Sequence, residues 1–273
     1  EKIKKISPNL KKFSIIPIVD RRTKKIINVL DSEKLNLLNI KKKNKKLNVS
    51  VVIMAGGKGT RLMPYTSVLP KPLLPINQKP TINHIIDRFI NLSTEKFFVT
   101  LNYKSEILKT YLKDLNKIKP LITIEEKKPL GTAGGLFLIK NKIKNDFFLT
   151  NCDTIINENY NDMYKQHKAK KNDITIVTAS KKFKIPYGVC DVKENNFIMR
   201  EKPELKYNVN TGFYIISKNC LRVLKRKEYL DFNDFLLMCK KHNKKIGIFK
   251  IKEKSWIDVG QMREYKTNLN KNI

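Results

Sequence analysis

The sequence lacks any apolar stretch long enough to cross a membrane. Its longest predominantly apolar run, residues 49–55, has the length of a strand, whereas a membrane helix needs about 20 residues. No secretory leader is visible at the amino terminus, which favours a cytoplasmic protein without a membrane partner. Because the chain begins Glu1-Lys2 with no methionine, we expect it to be a piece of a longer protein.

Cysteine is sparse, and its spacing excludes the motifs that cysteine pairs form. The four cysteines are Cys152, Cys190, Cys220 and Cys239. None of them belongs to a Cys-x-x-Cys pair or has zinc-site spacing, so we expect free thiols in a reducing cytosol. Histidine is also rare, and none of the three histidines predicts a catalytic role. His84 lies on a predicted helix, whereas His167 and His242 lie in lysine-rich stretches that we expect at the surface.

Acidic residues are few: the chain has 25 Asp and Glu against 57 Lys and Arg, and a formal net charge of +32. So basic a chain raises the hypothesis of a nucleic-acid-binding protein. The lysines are spread along the whole sequence, however, and aromatic residues are not interleaved with them as a base-stacking surface requires. Lys, Asn and Ile are all abundant and share AT-rich codons, so genome composition is an alternative source of the charge. We therefore predict no nucleic-acid partner and expect the charge to attract anionic substrates.

Residues 1–47 indicate a small separate unit that ends in a lysine-rich linker. Two strand patterns joined by a polar turn come first, then a short capped helix, then the linker. These segments cover residues 13–20, 25–30, 31–38 and 41–46, respectively. We expect the second domain to cover residues 48–273.

In the second domain, apolar patterns of strand and helix type alternate along the chain. Strands are predicted over residues 49–54, 97–101, 121–124 and 147–150, and helices over residues 81–92, 105–115 and 132–139. This alternation favours right-handed crossovers between parallel strands. After residue 180 the predicted strands shorten and the helices become fewer, which indicates a smaller antiparallel portion. The predicted fold class is therefore α/β, with a Rossmann-like, mainly parallel sheet flanked by helices.

A glycine-rich turn follows the first strand of this domain. Residues 55–61 are Ala-Gly-Gly-Lys-Gly-Thr-Arg, and glycines allow a backbone to approach phosphate oxygens closely and donate N–H groups to them. In an open α/β sheet, ligands bind at the carboxyl ends of the strands. The turn matches neither a P-loop nor a dinucleotide-binding motif. By itself it leaves an ordinary tight turn as an equal alternative.

Lys71 lies in a stiff segment ten residues after Arg61, which ends the glycine turn. Pro70 and Pro72 flank Lys71 and disfavour a helix there, so Lys71 is held more rigidly than a solvated surface lysine. The guanidinium of Arg61 is suited to two parallel hydrogen bonds with a phosphate, and the ammonium of Lys71 to a point-charge contact.

Two aspartates are candidate ligands of a metal ion. Asp153 follows directly after the predicted strand at residues 147–150, and Asp258 lies far away in the sequence. Two carboxylates that converge on a triphosphate are suited to hold Mg²⁺. For Asp153 alone, a helix cap is an equal alternative.

The turn and the lysine segment resemble a known signature. Gly56-Gly57-Lys58-Gly59-Thr60-Arg61 followed by Leu69-Pro70-Lys71-Pro72-Leu73 is similar to the signature of the sugar-1-phosphate nucleotidylyltransferases. Six further segments occur in the family's order, at residues 129–134, 151–154, 186–189, 201–203, 209–212 and 256–260. The resemblance covers residues 49–266, with Cys152 where many members have glycine. It implies the nucleotide-diphospho-sugar transferase fold, with a small antiparallel sugar-binding portion. It also implies an enzyme that transfers a nucleoside monophosphate to a sugar-1-phosphate and releases pyrophosphate.

The resemblance also implies roles for individual residues. Nucleotide binding is implied for Ala55, Gly56, Gly57, Gly59, Thr60, Arg61, Lys71, Gly131 and Thr132. Sugar-phosphate binding is implied for Gly188, Glu201, Lys202 and Asn210. Magnesium binding is implied for Asp153 and Asp258, and a direct part in catalysis for Arg61, Lys71 and Asp153. No protein nucleophile is needed, because a sugar phosphate is already anionic and catalysis consists of positioning and charge neutralisation.

The donor base and the acceptor sugar are predicted from finer similarities. Residues 99–103 and 129–134 are closer in style to the guanylyltransferases, so GTP is the predicted donor. Residues 16–20 and 26–30 resemble the end of a nucleotide-sensing CBS (cystathionine-β-synthase-type) module, and a generic hairpin is the alternative. A CBS module ahead of such a domain is similar to the glucosamine-1-phosphate guanylyltransferases of legionaminic acid synthesis, so glucosamine-1-phosphate is the predicted acceptor.

Alternatives to this prediction stay open. Within the family they are mannose- or heptose-1-phosphate as the acceptor, and a thymidylyl or uridylyl donor. From another class, the alternative is an inactive nucleotide-sensing regulatory subunit. A nucleotide effector at the CBS-like unit and a homo-oligomer are further expectations.

Overall fold

The computed structural model describes residues 15–20, 22–31, 47–90, 92, 94–116, 120–193 and 196–269. The chain divides into two units, Glu1–Lys46 and Leu47–Ile273. In the first unit, β1 (Ile15–Val19) pairs antiparallel with β2 (Ile26–Asp31). The helix and the linker predicted for this unit lie outside the described residues, and its resemblance to a CBS module stays a prediction.

The second unit contains strands and helices in alternation over its first half. Its strands are β3 (Ser50–Met54), β4 (Pro75–Ile76), β5 (Lys79–Pro80), β6 (Phe97–Leu101), β7 (Leu121–Glu125), β8 (Phe147–Asn151), β9 (Thr154–Ile156), β10 (Ile174–Lys184), β11 (Val189–Lys193), β12 (Asn196–Arg200), β13 (Glu204–Ile216), β14 (Ile246–Lys252) and β15 (Trp256–Asp258). Its α-helices are α1 (Tyr65–Val68), α2 (Thr81–Ile90), α3 (Ser105–Asn116), α4 (Leu136–Ile139), α5 (Tyr160–Ala169), α6 (Phe232–Lys241) and α7 (Met262–Asn268). None of the described helices has the length and apolarity needed to span a membrane.

A seven-stranded sheet forms the centre of this unit, in the order β14-β10-β13-β8-β3-β6-β7. Within it only β13 runs antiparallel to its neighbours. Alternate residues of β3 enter two different apolar clusters: Val51 and Ile53 pack with α2 and α3, and Val52 packs with α4 and α6. Helices therefore cover both faces, which is why residues 51–54 of the strand are all apolar. The predicted α/β class with a mainly parallel sheet is confirmed.

Some predicted elements differ from the structure. The predicted helix at residues 132–139 is only α4, Leu136–Ile139, because the residues before it form a turn against the start of α6. Two strands that reach beyond residue 180 are long, although the strands were predicted to shorten there: β10 has 11 residues and β13 has 13. The outer part of β10, residues 181–184, is lysine-rich and mostly exposed, so no alternation of apolar residues marks it as a strand.

His167 is buried rather than at the surface as predicted. It is 1% exposed because it continues the buried side of α5. Its Nδ1 shares a hydrogen bond of 2.8 Å with Thr175 Oγ1, and its Nε2 lies 3.7 Å from Asp146 Oδ2. Burial raises the pKa of Asp146, but hydrogen bonds from His167 and Lys168 outweigh burial and lower that pKa to about 2.

The order of the strands places the candidate site. From β3 the chain continues to β6 and β7 on one side, and then returns to β8 on the other side of β3. At such a reversal the carboxyl ends of the two strands leave a crevice, and ligands of open α/β sheets bind there. The glycine turn follows β3 and Asp153 follows β8, so both lie at this crevice.

Strands β10 and β13 continue past the last residue of β8. Asn151 ends β8 beside Gly212, whereas residues 178–184 of β10 pair with residues 204–210 of β13 beyond that level. We call residues 178–210 the arm; its outer part carries the hairpin of β11 and β12. Two extra residues in β13, Thr211 and Gly212, form a bulge at the base of the arm.

Candidate active site

The glycine turn packs directly on the segment that carries Lys71. Gly59 has a φ of +68°, which favours glycine. A Cβ at this position would lie 2.9 Å from Thr66 Cγ2 and 3.3 Å from Lys71 Cβ. The hydroxyl of Thr66 donates a hydrogen bond of 2.9 Å to the Gly59 carbonyl. The next residues, Thr60 and Arg61, are exposed on a single 3₁₀ turn.

Lys71 begins a single 3₁₀ turn, Lys71–Leu73, at a place where no helix was predicted. One turn is possible because Pro72 stands near its start, where a backbone N–H is not needed. The ammonium of Lys71 donates a hydrogen bond to Asp153 Oδ2. Their side chains are 11% and 12% exposed. Because the pair is nearly buried, removal of either partner would leave the other charge without compensation.

Asp153 and Asp258 are brought together by the pairing of β9 with β15. Thr154 is opposite Asp258 in this ladder, and the Val259 N–H donates to the Asp153 carbonyl at 3.0 Å. A Cβ at Gly260 would overlap Asp153 Oδ2 and lie 3.0 Å from Asp258 Oδ1, so the two carboxylates face each other across this glycine. Asp153 does not cap a helix, because a strand follows it.

The surroundings of Asp258 perturb its carboxylate. Burial raises the pKa of Asp258, and the charge of Asp153 raises it further. The Gly260 N–H, which donates to Asp258 Oδ1 at 2.7 Å, and the nearby ammonium of Lys71 oppose this effect. Two carboxylates held face to face are more stable when a cation lies between or beside them.

The pair fits a hard divalent cation that is shared with a ligand. Mg²⁺ prefers oxygen ligands and usually binds through one or two carboxylates together with phosphates and water. No group of three or more His, Cys, Asp and Glu residues forms a metal cluster in the part of the chain that the structure describes. Asp153 and Asp258, with the space that Gly260 leaves, match the first arrangement rather than a complete protein cage.

Glu126 lies between the glycine turn and the loop that follows β7. It is only 3% exposed. Its Oε2 accepts a hydrogen bond of 3.2 Å from the Leu130 N–H, whereas Oε1 has no hydrogen-bond partner among the described residues. A Cβ at Gly56 would lie 3.3 Å from Oε2, and one at Gly135 would lie 2.6 Å from Oε1. Burial raises the pKa of Glu126, and the Leu130 N–H and the Thr100 hydroxyl only partly oppose it.

The loop at Gly131 and Thr132 is tied to the start of α6. Gly131 has a φ of +77°, and a Cβ there would lie 2.6 Å from the Leu230 carbonyl oxygen. The Thr132 hydroxyl accepts a hydrogen bond of 2.8 Å from the Phe232 N–H and donates one of 3.3 Å to Asp231 Oδ1. Because its hydroxyl is engaged, the backbone of this loop rather than the side chain of Thr132 is left to face a base.

The structure groups three of the four predicted sugar-phosphate residues at the inner end of the β11–β12 hairpin. A Cβ at Gly188 would lie 3.1 Å from Glu201 Oε2, and Lys202 Nζ lies 3.6 Å from Glu201 Oε1. The Lys202 N–H donates to the Tyr187 carbonyl at 3.2 Å, with Lys202 at a φ of +45°. Glu201 and Lys202 are exposed.

Asn210 lies apart from that group, at the base of the arm. Its Oδ1 accepts a hydrogen bond of 3.0 Å from the Gly212 N–H, and its Nδ2 donates one of 2.7 Å to the Tyr214 hydroxyl. Both ends of its amide are therefore engaged within the chain, and its role as a sugar ligand stays a prediction.

Cys152, next to Asp153, is not a ligand. It is 6% exposed, and burial raises its pKa to about 12, so the thiol is neutral. The replacement of the family's usual glycine by Cys152 therefore adds no charge to the site. All four cysteines of the chain are free thiols.

Comparison with known proteins decides the family. Residues 50–272 match the protein family described as "Nucleotidyl transferase". The chain belongs to this family. Among curated relatives, Probable mannose-1-phosphate guanylyltransferase 2 of Oryza sativa subsp. japonica is 29% identical over 232 residues. The mannose-1-phosphate guanyltransferase of Saccharomyces cerevisiae is 32% identical over 226 residues. The alignments cover 81% and 78% of this chain but only 64% and 62% of those proteins.

Solved structures of other proteins share the fold of this family member. HddC from Yersinia pseudotuberculosis superimposes with a TM-score of 0.63 at 24% identity, over 81% of this chain and 98% of HddC. Its complex with GMP-PN gives a TM-score of 0.62 at 24% identity, over the same shares of the two chains. At this level of identity the likeness shows the fold alone.

Reasoning from the sequence alone does not single out Glu126 or Gly260 as residues of the candidate site. A signal for Glu126 exists, because it directly follows β7, much as Asp153 closely follows β8. The signal was weak, since Glu125 beside it is an ordinary exposed glutamate that bonds Lys109 at 2.6 Å. Gly260 is part of a family motif, but its contact with Asp153 depends on the pairing of β9 with β15.

Proposed function

We propose that the second unit transfers a nucleoside monophosphate from a nucleoside triphosphate to a sugar-1-phosphate and releases pyrophosphate. The observation that carries this proposal is the convergence of Lys71, Asp153 and Asp258 beside a glycine turn, at the reversal of the strand order. A triphosphate needs backbone N–H groups and cations around its oxygens, and this site offers both. The names of the relatives support the same reaction.

The reaction is a displacement at the α-phosphorus. An oxygen of the sugar phosphate forms a bond to the α-phosphorus, and the bond from that phosphorus to the pyrophosphate oxygen breaks. The glycine turn and Arg61 hold the leaving pyrophosphate, and Lys71 neutralises charge at the α-phosphate. Asp153 and Asp258 would hold Mg²⁺, which when bound neutralises further phosphate charge. Glu201 and Lys202 meet the sugar and its phosphate.

Glu126 supports guanine as the base. An ionised carboxylate only accepts hydrogen bonds, and the Watson–Crick edge of guanine presents two neighbouring N–H donors, at N1 and N2. Adenine presents an acceptor at N1, so it would leave a buried carboxylate oxygen without a partner. We assign this role to Oε1 of Glu126, which has no hydrogen-bond partner among the described residues. Because this oxygen is buried, the loop at Leu130 must shift for a base to reach it. The guanylyltransferase names of the relatives and the GMP-PN complex of HddC agree with this choice.

The acceptor sugar has two candidates with different support. The names of the relatives favour mannose-1-phosphate. Glucosamine-1-phosphate was predicted from the CBS-like pattern of the first unit, of which the structure describes a two-stranded hairpin. A carboxylate at Glu201 would gain a charge-assisted contact from a protonated amine on the sugar.

A pyrophosphate-release assay tests these proposals in turn. The protein is given Mg²⁺, each nucleoside triphosphate and a panel of sugar-1-phosphates, and then mannose-, glucosamine- and heptose-1-phosphate are compared with the best donor. We expect GTP to be the best donor. If no combination of triphosphate and sugar-1-phosphate gives pyrophosphate, and the protein still binds nucleotide, the regulatory-subunit alternative is favoured. A clear preference for dTTP or UTP would refute the guanine assignment and leave the reaction class intact.

A substitution at Glu126 tests its reading of the base. Glu126→Gln places an amide donor beside the donors of guanine, so we expect the preference for GTP over ATP to fall about ten- to a hundredfold. Glu125→Gln is the matched control, because it makes the same chemical change at an exposed neighbour. Equal preferences in the two variants would show that Glu126 does not read the base.

A further inference from the structure

Lys71 occupies the oxygen of Asp153 that faces Asp258. Its ammonium bonds Asp153 Oδ2, and the same oxygen is the one that a Cβ at Gly260 would overlap, with Asp258 Oδ1 3.0 Å from that position. The oxygen best placed to bind a metal ion together with Asp258 is therefore already paired with a cation.

The ammonium and a divalent cation would be close neighbours at this oxygen. Lys71 and Asp153 are almost entirely shielded from water, at 11% and 12% exposure, so water and salt would screen their interaction with a third charge poorly. A divalent ion that binds Asp153 in the absence of nucleotide must either displace the ammonium or tolerate its repulsion. Both weaken the binding of the bare ion.

The aliphatic part of the Lys71 side chain also lies against the glycine turn. A Cβ at Gly59 would be 3.3 Å from Lys71 Cβ and 3.5 Å from its Cδ. The flexible stem of a lysine allows its ammonium to turn from one neighbour to another. An anionic triphosphate in the glycine turn would thus compete with Asp153 for the same ammonium.

We propose that Lys71 is a resident cation that keeps the bare divalent ion out of the Asp153–Asp258 pair until a nucleoside triphosphate draws its ammonium away. The inference rests on the proposed function for the assignment of this pair to a metal ion. It predicts that metal and nucleotide bind cooperatively, and that the metal enters as a complex with the triphosphate.

The test measures metal binding to the free protein, without turnover. Mn²⁺ is used as a paramagnetic substitute for Mg²⁺, and free Mn²⁺ is followed by electron paramagnetic resonance during titration of the wild type and of Lys71→Gln. The glutamine retains an N–H donor, on a side chain that is one bond shorter, but has no charge. We expect Lys71→Gln to bind Mn²⁺ at least about tenfold more tightly, because a neighbouring positive charge is removed from a poorly screened site.

Three control variants make the outcome specific. Lys71→Arg keeps the charge, and we expect it to bind Mn²⁺ as weakly as the wild type. Lys71→Met removes both the charge and the hydrogen bond, and it provides a second uncharged variant if the first is unstable in thermal unfolding. Asp258→Asn in the Lys71→Gln background must weaken the tight site if the site is the one described.

The two ways of failing are distinguishable. In the first, the wild type binds Mn²⁺ at a site that depends on Asp258, and it does so as tightly as folded Lys71→Gln. This result would overturn the resident-cation role and leave the proposed function intact. If no variant, Lys71→Gln included, binds Mn²⁺ at a site that depends on Asp258, the inference is wrong, and the metal assignment is then decided by the Mg²⁺ dependence of pyrophosphate release in Asp258→Ala.

Discussion

Replacing Gly260 with alanine tests the candidate metal site through a single methyl group. The position is buried, and the added Cβ would overlap Asp153 Oδ2 and lie 3.0 Å from Asp258 Oδ1. No charge is removed and no ligand is lost. The variant therefore asks whether the spacing of the two carboxylates matters, rather than their presence.

The size of the effect follows from the overlap. Ordinary contacts of a Cβ begin at 3.4 Å, so the Asp258 oxygen must retreat by about 0.4 Å and the Asp153 oxygen by up to about 1 Å, a displacement at which enzymes lose about a hundredfold in rate. That loss corresponds to about 2.7 kcal/mol of transition-state stabilisation. The overpacking itself should lower the free energy of unfolding by about 1–3 kcal/mol.

The assay is kcat/KM for pyrophosphate release at several Mg²⁺ concentrations, beside urea unfolding of the same protein. Gly247→Ala is the matched control: its Cβ would lie 2.7 Å from Asn172 Cγ, at the amino-terminal ends of β10 and β14, away from the crevice. We expect both variants to lose stability but only Gly260→Ala to lose activity. Near-normal activity of a folded Gly260→Ala would refute the view that these carboxylates act together.

Three further predictions concern charged groups. Lys71→Ala and Asp153→Asn should each lower turnover about a hundredfold or more, the size expected when one preorganised contact is lost; circular dichroism checks the fold, and near-normal pyrophosphate release would remove that residue from the mechanism. Asp258→Ala should raise the Mg²⁺ concentration that gives half-maximal activity, because a lone carboxylate binds Mg²⁺ poorly; an unchanged half-saturation would contradict its assignment. Asp146 has a pKa of about 2, below its ordinary 3.8, so its charged form stabilises the fold above about pH 4 and this stabilisation is lost as the pH falls towards 2. Asp146→Asn should therefore be less stable by about 2 kcal/mol at pH 7, with a difference in urea unfolding that shrinks below pH 4; a difference independent of pH would disprove this reasoning.

Periodicity along the chain was sufficient to predict the elements that pack in the core. The apolar stripe of α2 and the continuous apolar run of β3 have only one way to be buried, so both were predicted within a few residues. The long strands of the arm were missed because Lys181, Lys182 and Lys184 interrupt any apolar alternation in β10. Their pairing with β13 depends on backbone hydrogen bonds, which leave no mark in the residue types.

The candidate site was predicted unevenly for a similar reason. Lys71 and Asp153 each carry a local signal, a rigid proline setting and a strand end, together with the family resemblance. That their side chains form an ion pair is a property of tertiary packing, and no spacing in the sequence predicts it. The same holds for Glu126, whose burial distinguishes it from Glu125 only once the loop after β7 lies against the glycine turn.

The bulge at the base of the arm has a mechanical consequence. Strands β10 and β13 run without a break from the central sheet into the arm, so the arm has no separate hinge loop, and a bulge is where such strands bend most readily. Thr211 in this bulge accepts a hydrogen bond of 2.7 Å from the Thr154 hydroxyl, and a Cβ at Gly212 would lie 3.0 Å from Asn151 Cγ. These contacts hold the chain on both sides of Asp153. A tilt of the arm about the bulge would therefore displace Asn151 and Thr154, and with them the carboxylate of Asp153 that lies between.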